Sequence, residues 1–525
     1  MEADAAIGSG SRRAAAAWER RDVGLIALAM VASLVLRPLP AIFTRSLWTD
    51  ETWVAVLTRV PLSHLWRLSS SSPIGWLALL RAVPGSNPER FRFLTVACAA
   101  GAVVAAYVLV RSCAWSSALH ARVAASVAAV LVAATPAMLM RDDVKQYVSD
   151  ALVALVVLGA VRSIDADPRD WRVLRLGCIS ALALPFSTTS AFVGVAAFGA
   201  LGVSATLRRA WRRAAATTVV GVAVGGFYAA FFGAVVAPNV NTSLHDYWHN
   251  AYLHGSPTDM LVESWHRLDD LAFFLAMPAA VAVGLFAIGI TALVRQRETA
   301  LAVTLPMLWL EMMALGRAQL YPFLELRTSL FLIVPSLVIV GIGATSLCMT
   351  LLMRRRALAV ACGTVLAVMF AIGAAPTVHA FGIPNEDIRG QTRYVASHIR
   401  PDDVVIVNAL ASWGFAYYWP RGHIHIVRTD GVPPGFLAEV PDINAQYATG
   451  TTYEQVLATL RAALQQGSAA RTGQMFVVRT HMNGEERDAW TRAFATLHLQ
   501  PRDIRTGVEP LAVIRPPTFV AQGSP

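Results

Sequence analysis

The amino-acid sequence predicts an α-helical polytopic membrane protein with about 11 transmembrane helices, followed by a C-terminal exterior α/β domain. Three observations support this fold class. Hydrophobic residues make up 55% of the 525 residues, charged residues only 15%, and the mean hydropathy is +0.51. Long apolar segments recur between residues 23 and 376. Beyond them, short apolar runs alternate with amphipathic stretches, the pattern of strands and helices in a small folded domain.

A membrane-crossing helix needs ~20 mostly apolar residues. About eleven segments qualify, at residues 23–43, 93–111, 121–140, 148–162, 173–186, 188–206, 214–236, 271–294, 299–316, 328–348 and 357–376. The two segments around Pro185 are compatible with a tight outer turn or with a kink inside one segment. No small-residue cleavage site follows the first segment, so we interpret it as an uncleaved span and not as a signal peptide.

Arginine clusters at the segment ends predict the orientation, because basic residues accumulate in cytoplasmic loops. With the N-terminus in the cytoplasm, the following residues lie inside: Arg12, Arg13, Arg20, Arg21, Arg162, Arg169, Arg172, Arg175, Arg208, Arg209, Arg212, Arg213, Arg295, Arg297, Arg354, Arg355 and Arg356. We therefore attribute the net charge of +10 to membrane orientation, with no nucleic-acid partner.

This topology predicts three domains in a multi-pass protein of the inner (plasma) membrane. Residues 1–22 form a cytoplasmic N-terminal segment, and residues 23–378 form the transmembrane domain with an exterior loop at 44–92. Residues 379–525 form the exterior domain, in which "DDVVIV" and "QMFVVRT" resemble strands and "EERDAWTRAFATL" resembles a helix. The near-exclusive use of arginine over lysine suggests a bacterium with a GC-rich genome.

Polar residues first gather after the first segment, in "SLWTDETW". Asp50 and Glu51 follow Trp48 at the depth where aromatic residues meet the lipid headgroups. A carboxylate held at that boundary can act as a general base, so both are candidate catalytic residues. The alternative is that Asp50 only caps a helix that starts at Glu51.

The rest of the first loop is amphipathic. "PLSHLWRL" and "SSPIGWLALLRAV" carry Leu, Trp and Ile on one face and His64, Arg67 or Arg81 on the other. Helices of this kind lie in the membrane interface, where they can form the wall of a site or simply pack.

The second polar cluster, "RDDVKQYVSD", precedes the fourth segment and contains Lys145, the only lysine in the chain. If the stretch is helical, Arg141 and Lys145 share one face, while Asp143, Tyr147 and Asp150 share a neighbouring face. Ionisable groups entering a membrane segment are costly, which favours an inward-facing functional cluster. A lysine ammonium is a compact point charge that suits a phosphate oxygen. The alternative is a set of ion pairs at an exposed turn.

A third cluster, "GRAQLYPFLELRTSLFLIVP", precedes the tenth segment and contains Tyr321, Glu325 and Arg327. The predicted topology places all three clusters at the same membrane face, where cations suit an anionic headgroup such as a diphosphate or phosphodiester. Alternatively, Arg327 only anchors the chain at the interface. The five cysteines form no CxxC spacing, and "TDET" lacks a DxD spacing, so we expect no disulfide framework, no metal site and no cofactor.

Four stretches together resemble the GT-C class of membrane glycosyltransferases. This family includes the protein O-mannosyltransferases and bacterial polyprenyl-phosphate-sugar transferases such as the lipid A aminoarabinose transferases. The stretches are "LRPLPAIFTRSLWTDET", "NPERFRFLTVACAAGAVV", "RDDVKQYVSDALVAL" and "LYPFLELRTSLFLIVP", and they cover roughly residues 23 to 350 in the same order. No counterpart of the additional exterior domain of the O-mannosyltransferases is evident, which disfavours a protein acceptor.

The resemblance implies a GT-C-like fold and an inverting transfer of a sugar from a polyprenyl-phosphate carrier to a glycan or lipid acceptor of the cell envelope. It implies that Asp50 deprotonates the acceptor hydroxyl, with Glu51 as its companion. Arg141 and Lys145 would bind the lipid phosphate, with Asp143 and Tyr147 near the donor. Tyr321 and Arg327 would complete the phosphate or sugar site. No catalytic motif is evident in the C-terminal domain, which would bind the acceptor or brace the loops.

Two other classes remain as alternatives. A transporter or flippase of lipid-linked sugars would carry polar groups along the span interiors, whereas here they gather at one face. A scaffolding membrane protein would depend on neither Asp50 nor Lys145.

Overall fold

The computed structural model describes residues 18–68, 72–141, 143–166, 170–240, 242–384, 386–420, 422–469 and 473–515. Most of the predicted N-terminal segment, with Arg12 and Arg13, lies outside these residues. Arg169, a member of a later arginine cluster, also lies outside them.

Among the described residues from 18 to 377, the regular secondary structure is helical. In chain order the α-helices are α1 (Arg20–Val35), α2 (Leu39–Thr44), α3 (Thr49–Leu57), α4 (Leu62–Leu65), α5 (Ile74–Ala82), α6 (Arg92–Ser112), α7 (Ala118–Ala134), α8 (Pro136–Leu139), α9 (Tyr147–Ala166), α10 (Asp170–Ala183), α11 (Ser190–Leu207), α12 (Trp211–Phe231), α13 (Thr242–Tyr247), α14 (Pro257–Asp270), α15 (Ala272–Leu275), α16 (Ala279–Arg295), α17 (Thr299–Arg317), α18 (Leu330–Arg354) and α19 (Arg356–Ala374). Each of the eleven predicted segments overlaps one long helix of this set.

Within the described residues, seven helices are long and apolar enough to cross a membrane, namely α6, α9, α11, α12, α17, α18 and α19. Two further apolar helices, α7 and α16, are shorter. The chain is therefore an integral, multi-pass membrane protein. Around Pro185 the structure has a turn between α10 and α11, and not a kink within one segment.

Small residues let the long helices approach closely at the centre of the bundle. A Cβ atom at Gly343 of α18 would lie 1.9 Å from the carbonyl oxygen of Leu285 in α16. One at Gly289 of α16 would lie 2.2 Å from the carbonyl oxygen of Ile339. Backbones that approach this closely pack mainly by van der Waals contact, which is the usual basis of helix association in membranes.

The connections between helices meet at two opposite ends of the bundle. At one end, ion pairs join Arg111 to Asp22 at 2.8 Å, Arg162 to Glu298 at 3.1 Å and Arg208 to Asp165 at 3.0 Å. At the other end, which we call the site end, lie the loop between α2 and α6 and the turns before α9 and α18.

The C-terminal α/β domain contains α20 (Ile388–His398), β1 (Val404–Val407), α21 (Ser412–Tyr418), β2 (His425–Arg428), β3 (Phe436–Glu439), β4 (Ala445–Tyr447), α22 (Tyr453–Ala469), β5 (Met475–Val478), α23 (Gly484–Thr496), β6 (Arg502–Ile504) and β7 (Leu511–Ile514). Five strands form a mixed sheet in the order β4-β1-β5-β7-β6. In it, β1 runs parallel to β4 and β5, and β7 runs antiparallel to β5 and β6. A separate hairpin pairs β2 with β3.

The loop between α2 and α6 shares a hydrophobic core with the C-terminal domain. Trp53 of α3 packs edge-on against Trp413 of α21 with ring centres 5.6 Å apart. Trp76 of α5 is buried in the same cluster. The amphipathic stretches of this loop do form helices, α4 and α5, but the buried face of α5 packs inside the protein, so the interfacial placement expected from the sequence is wrong for that face.

Candidate active site

Three charged side chains from separate parts of the chain converge at the site end. Asp50 lies in the first turn of α3, Lys145 in the turn before α9, and Arg327 in the turn before α18. One carboxylate oxygen of Asp50, Oδ2, accepts a hydrogen bond from Arg327 Nη1 at 2.8 Å and lies 3.8 Å from Lys145 Nζ. A carboxylate and two cations from the three predicted clusters therefore meet in one place.

Helix α3 begins at Thr49, and Trp48 is the residue at its N-terminal cap. The cap contact comes from Glu51, whose carboxylate accepts the Trp48 N–H at 3.1 Å. Asp50 is therefore not the capping residue, so its carboxylate is available to the two cations.

Glu51 occupies a different environment from Asp50, although both were predicted from the sequence as candidate catalytic residues. It is fully buried and forms an ion pair with Arg92, whose Nε donates to Oε1 at 2.8 Å and whose Nη2 donates to Oε2. The Val144 N–H also donates to Oε1, at 3.0 Å. Burial raises the pKa of Glu51, against the opposing effect of Arg92. Each Glu51 oxygen already accepts two hydrogen bonds, so this residue ties α3 to α6 and to the turn before α9.

Residues 143–146 form a turn and not a helix, so the condition under which Arg141 and Lys145 would share a helical face is not met. Tertiary hydrogen bonds hold this turn. Thr95 Oγ1 donates to the carbonyl of Asp143 at 2.7 Å, and Trp76 Nε1 donates to the carbonyl of Val144 at 2.8 Å. These donors satisfy backbone groups that a helix would have paired internally.

The position of Lys145 is fixed by an aromatic ring as well as by Asp50. Its Nζ lies 3.7 Å from the centre of the Trp53 ring, and the side chain is 4% exposed. A cation over the face of tryptophan is stabilised by the ring quadrupole. Burial lowers the pKa of Lys145, an effect that the charge of Asp50 opposes. The ammonium group is thus poorly hydrated and held by one carboxylate.

Arg141, Asp143 and Tyr147 surround this contact without joining it directly. The side chain of Asp143 is buried, and its nearest cation is Arg141, whose Nη1 lies 3.8 Å from Oδ2. Neither carboxylate oxygen of Asp143 has a hydrogen-bond partner among the described residues. Burial raises the pKa of Asp143, and the charges of Arg141 and Lys145 oppose this. Tyr147 is buried with its ring centre 5.9 Å from Lys145 Nζ.

Arg327 is held by several polar groups. Its Nε donates to Glu325 at 3.0 Å and its Nη2 donates to Tyr247 Oη at 3.0 Å, while Trp248 lies against the guanidinium at 5.7 Å. Burial lowers the pKa of Arg327, but Tyr147, Glu325 and Asp50 together raise it, so the group stays protonated.

Tyr321 has a supporting position in the same turn. Its hydroxyl donates to the Thr328 carbonyl at 3.0 Å, and its ring packs edge-on against Phe192 at 5.0 Å. The structure gives Tyr321 no hydrogen bond to Asp50, Lys145 or Arg327 among the described residues.

The C-terminal domain also reaches this site, which the sequence did not predict. Glu386 accepts hydrogen bonds from the N–H of Thr49 at 2.8 Å and from its hydroxyl at 3.0 Å. Its other oxygen pairs with Nδ1 of His481. Trp53, Tyr247, Glu386 and His481 were not among the predicted site residues. The only signals for them were aromatic residues close to charged ones, in "SLWTDETW" for Trp53 and in "HDYWHN" for Tyr247.

No protein-family model and no curated protein matches the chain. Solved structures that share its fold include ArnT and AglB. ArnT from Cupriavidus metallidurans, bound to undecaprenyl phosphate, aligns with a TM-score of 0.53 at 12% identity over 96% of this chain and 99% of that chain. The archaeal oligosaccharyltransferase AglB from Archaeoglobus fulgidus, in complex with an inhibitory peptide and a dolichol-phosphate, aligns with a TM-score of 0.51 at 11% identity over 87% and 69% of the two chains. The chain therefore has a GT-C fold, which confirms the fold expected from the sequence.

Proposed function

We propose that this protein is an inverting glycosyltransferase that moves a sugar from a polyprenyl-phosphate carrier to a cell-envelope glycan or lipid acceptor at the outer face of the membrane. The observation that carries the proposal is the contact of Asp50 with both Lys145 and Arg327 at one end of a GT-C bundle. One structural neighbour, ArnT, was solved with undecaprenyl phosphate, which is a carrier of the proposed class.

Lys145 and Arg327 bind the donor phosphate in this proposal. In the structure, both cations contact the Asp50 carboxylate. A phosphate oxygen accepts charge-assisted hydrogen bonds from ammonium and guanidinium groups at least as well as a carboxylate does. Donor binding therefore draws the cations away from Asp50 and leaves its carboxylate free to accept a proton.

The transfer then needs one base and one stabilised leaving group. The acceptor oxygen attacks the anomeric carbon, its proton passes to Asp50, and the bond between that carbon and the phosphate oxygen breaks. The bonding electrons leave on the polyprenyl phosphate, whose developing charge Lys145 and Arg327 stabilise. A single displacement of this kind inverts the anomeric configuration.

The remaining predicted residues divide into two groups. Arg141, Asp143 and Tyr147 lie beside the cations, so we assign them to the donor phosphate or sugar. Asp143 has two buried oxygens without a hydrogen-bond partner among the described residues, and a sugar hydroxyl would supply a donor. Glu51 and Tyr321 make internal hydrogen bonds, and we assign them to positioning the turns that carry Asp50 and Arg327.

The outer-face placement rests on charge. The arginine clusters lie away from the site end, and basic residues favour the cytoplasmic side, so the N-terminus is cytoplasmic and the site is exterior in this proposal. Among the described residues, the ion pairs of the bundle gather at its two ends, which supports an enzyme over a flippase with a polar path through its centre.

The test is a transfer assay with the purified, reconstituted protein. Radiolabelled sugars on polyprenyl-phosphate donors are incubated with envelope lipid and glycan fractions, with and without the protein. Protein-dependent appearance of label in an acceptor supports the proposal. Movement of intact labelled donor across the vesicle membrane without a new glycosidic bond would identify a flippase instead.

A further inference from the structure

One contact joins the C-terminal domain directly to the residue beside Asp50. Glu386 lies just before α20, is 7% exposed, and accepts both the N–H and the hydroxyl of Thr49. Thr49 is the first residue of α3 and is itself 3% exposed. Its N–H has no partner inside α3, because the first amides of a helix never do. A carboxylate from the C-terminal domain therefore completes the N-terminus of the helix that carries Asp50.

Glu386 is in turn held by a histidine. His481 Nδ1 contacts the Glu386 oxygen that Thr49 does not use, and the His481 ring lies 6.0 Å from the Trp48 ring. The backbone of His481 has a φ of 54°, a left-handed conformation that is uncommon for a residue with a side chain. Its N–H lies 3.4 Å from Glu509. The histidine is thus fixed at both its backbone and its ring.

We infer that Glu386 and His481 form a positioning pair, through which the C-terminal domain holds Asp50 in register with Lys145 and Arg327. This inference deepens the proposed function, because it makes the C-terminal domain part of the catalytic site. The pair acts through Thr49 and not on the substrate, so neither residue is a catalytic group.

Glu386 stabilises the short helix α3 in two ways, by accepting hydrogen bonds from Thr49 and by its negative charge. Loss of the Glu386 acceptor leaves a buried N–H and a buried hydroxyl of Thr49 unpaired, which is costly. It also removes a negative charge from the N-terminus of α3, where the helix dipole favours one. Helix α3 has only nine residues, so a disturbed first turn displaces Asp50 directly.

The charge state of His481 adds a pH dependence. The hydrogen bond to Glu386 raises the pKa of His481 against the opposing effect of burial, and the charges of Glu386, Asp50 and Glu509 raise it further. Burial raises the pKa of Glu486, and the charge of His481 is one of the effects that oppose this. Because the folded-state pKa of His481 is raised, the ion pair of His481 with Glu386 stabilises the fold fully at a pH below the ordinary histidine pKa. This stabilisation is lost as the pH rises through the raised pKa.

The test compares Thr49→Val, Thr49→Ser and Glu386→Leu with the wild type in detergent or nanodiscs, because leucine is similar in size to glutamate and has no acceptor. Serine keeps the hydroxyl and valine does not, so Thr49→Ser is the conservative rescue. The matched control is Glu439→Leu, because Glu439 pairs with His425 at 3.6 Å in the separate β2–β3 hairpin. The readouts are amide hydrogen exchange of residues 49–57, affinity for undecaprenyl phosphate, and kcat with any donor that supports transfer.

We expect Glu386→Leu and Thr49→Val to speed exchange in α3 by about fivefold or more, the effect of losing one helix cap. We expect kcat to fall while undecaprenyl phosphate affinity stays within about threefold, since loss of one positioning contact leaves both cations in place. Thr49→Ser and the Glu439→Leu control should resemble the wild type. In His481→Gln, the decline in α3 protection that the wild type shows at rising pH should disappear.

Unchanged exchange in α3 for both Glu386→Leu and Thr49→Val would overturn the inference. A kcat of these two variants equal to that of the wild type at every pH would overturn it as well. The proposed function fails by a different result. If the wild type transfers no sugar from any polyprenyl-phosphate donor, the transfer chemistry is wrong, while the exchange data still decide whether the pair positions α3.

Discussion

The Asp50 carboxylate and the Arg327 guanidinium are 277 positions apart in the chain and meet at 2.8 Å. Lys145 approaches the same carboxylate oxygen at 3.8 Å. In this arrangement the base of the proposed reaction neutralises the cations of the proposed phosphate site. An anionic donor therefore has to compete with Asp50, and this competition links donor binding to activation of the base.

Replacement of the only lysine in the chain should weaken donor binding. Lys145→Ala removes one charge-assisted contact to phosphate, worth roughly 10- to 100-fold in affinity. Undecaprenyl phosphate binding to the purified protein measures this directly. The control is Arg354→Ala, which removes an exposed cation at the far end of α18. Equal affinities of the Lys145→Ala variant and the wild type would remove Lys145 from the phosphate site.

The Trp53 ring should contribute to the same affinity, because it holds the ammonium in place. A desolvated cation–π contact is worth up to ~2 kcal/mol, so Trp53→Leu should weaken undecaprenyl phosphate binding by roughly 5- to 30-fold. Trp413→Leu is the matched control, since it removes the ring that packs against Trp53 but makes no contact with Lys145. An equal loss of affinity in both variants would indicate a packing effect only.

Donor binding should weaken as the pH rises toward the alkaline range. Burial lowers the pKa of Lys145, so the ammonium loses its proton at a lower pH than an ordinary lysine does. Undecaprenyl phosphate affinity should therefore fall as the pH rises through that lowered pKa. In Lys145→Arg the guanidinium stays charged and this decline should disappear. A decline of the same size in the arginine variant would show that another group titrates.

The buried pair of Arg92 and Glu51 should govern stability. Arg92→Met leaves the Glu51 carboxylate buried without its cation, which costs about 3–5 kcal/mol in similar cases. Arg92 also donates to the carbonyls of Ile42 and Arg45, at 2.8 Å in both cases, so the first loop should loosen as well. Thermal unfolding in detergent measures the loss. The double variant Glu51→Met/Arg92→Met should recover part of it, and a further loss in the double variant would argue against the pair.

Much of the fold could be predicted because membrane helices have a local signature. Each of the eleven apolar segments contains a helix, since a span must satisfy its backbone hydrogen bonds internally. The turn at residues 143–146 could not be predicted in this way. Its backbone is held by Trp76, Thr95 and Glu51, which lie 48 to 93 positions away in sequence. Local pattern carries no information about such partners.

Part of the site could also be predicted, because some of its residues have a local signature in the sequence. Lys145 and Asp50 stand out as charged residues at membrane boundaries, and the structure brings them together with Arg327. Glu51 looked equivalent to Asp50, because neighbours in sequence give no sign of which one meets Arg92. The link from Glu386 to Thr49 spans 337 positions and joins two domains, so no sequence motif marks it.

The role of Asp50 as the base is decided by the Asp50→Asn variant, assayed for sugar transfer from a polyprenyl-phosphate donor and for undecaprenyl phosphate binding on the same preparation. Asparagine keeps the shape but cannot accept the acceptor proton, and loss of a general base typically costs about 10²- to 10⁴-fold in rate. We predict that transfer falls by this amount, while undecaprenyl phosphate binds as tightly as to the wild type or more tightly, because the competing carboxylate is gone. Transfer at the wild-type rate, or a loss of undecaprenyl phosphate binding, would contradict this assignment.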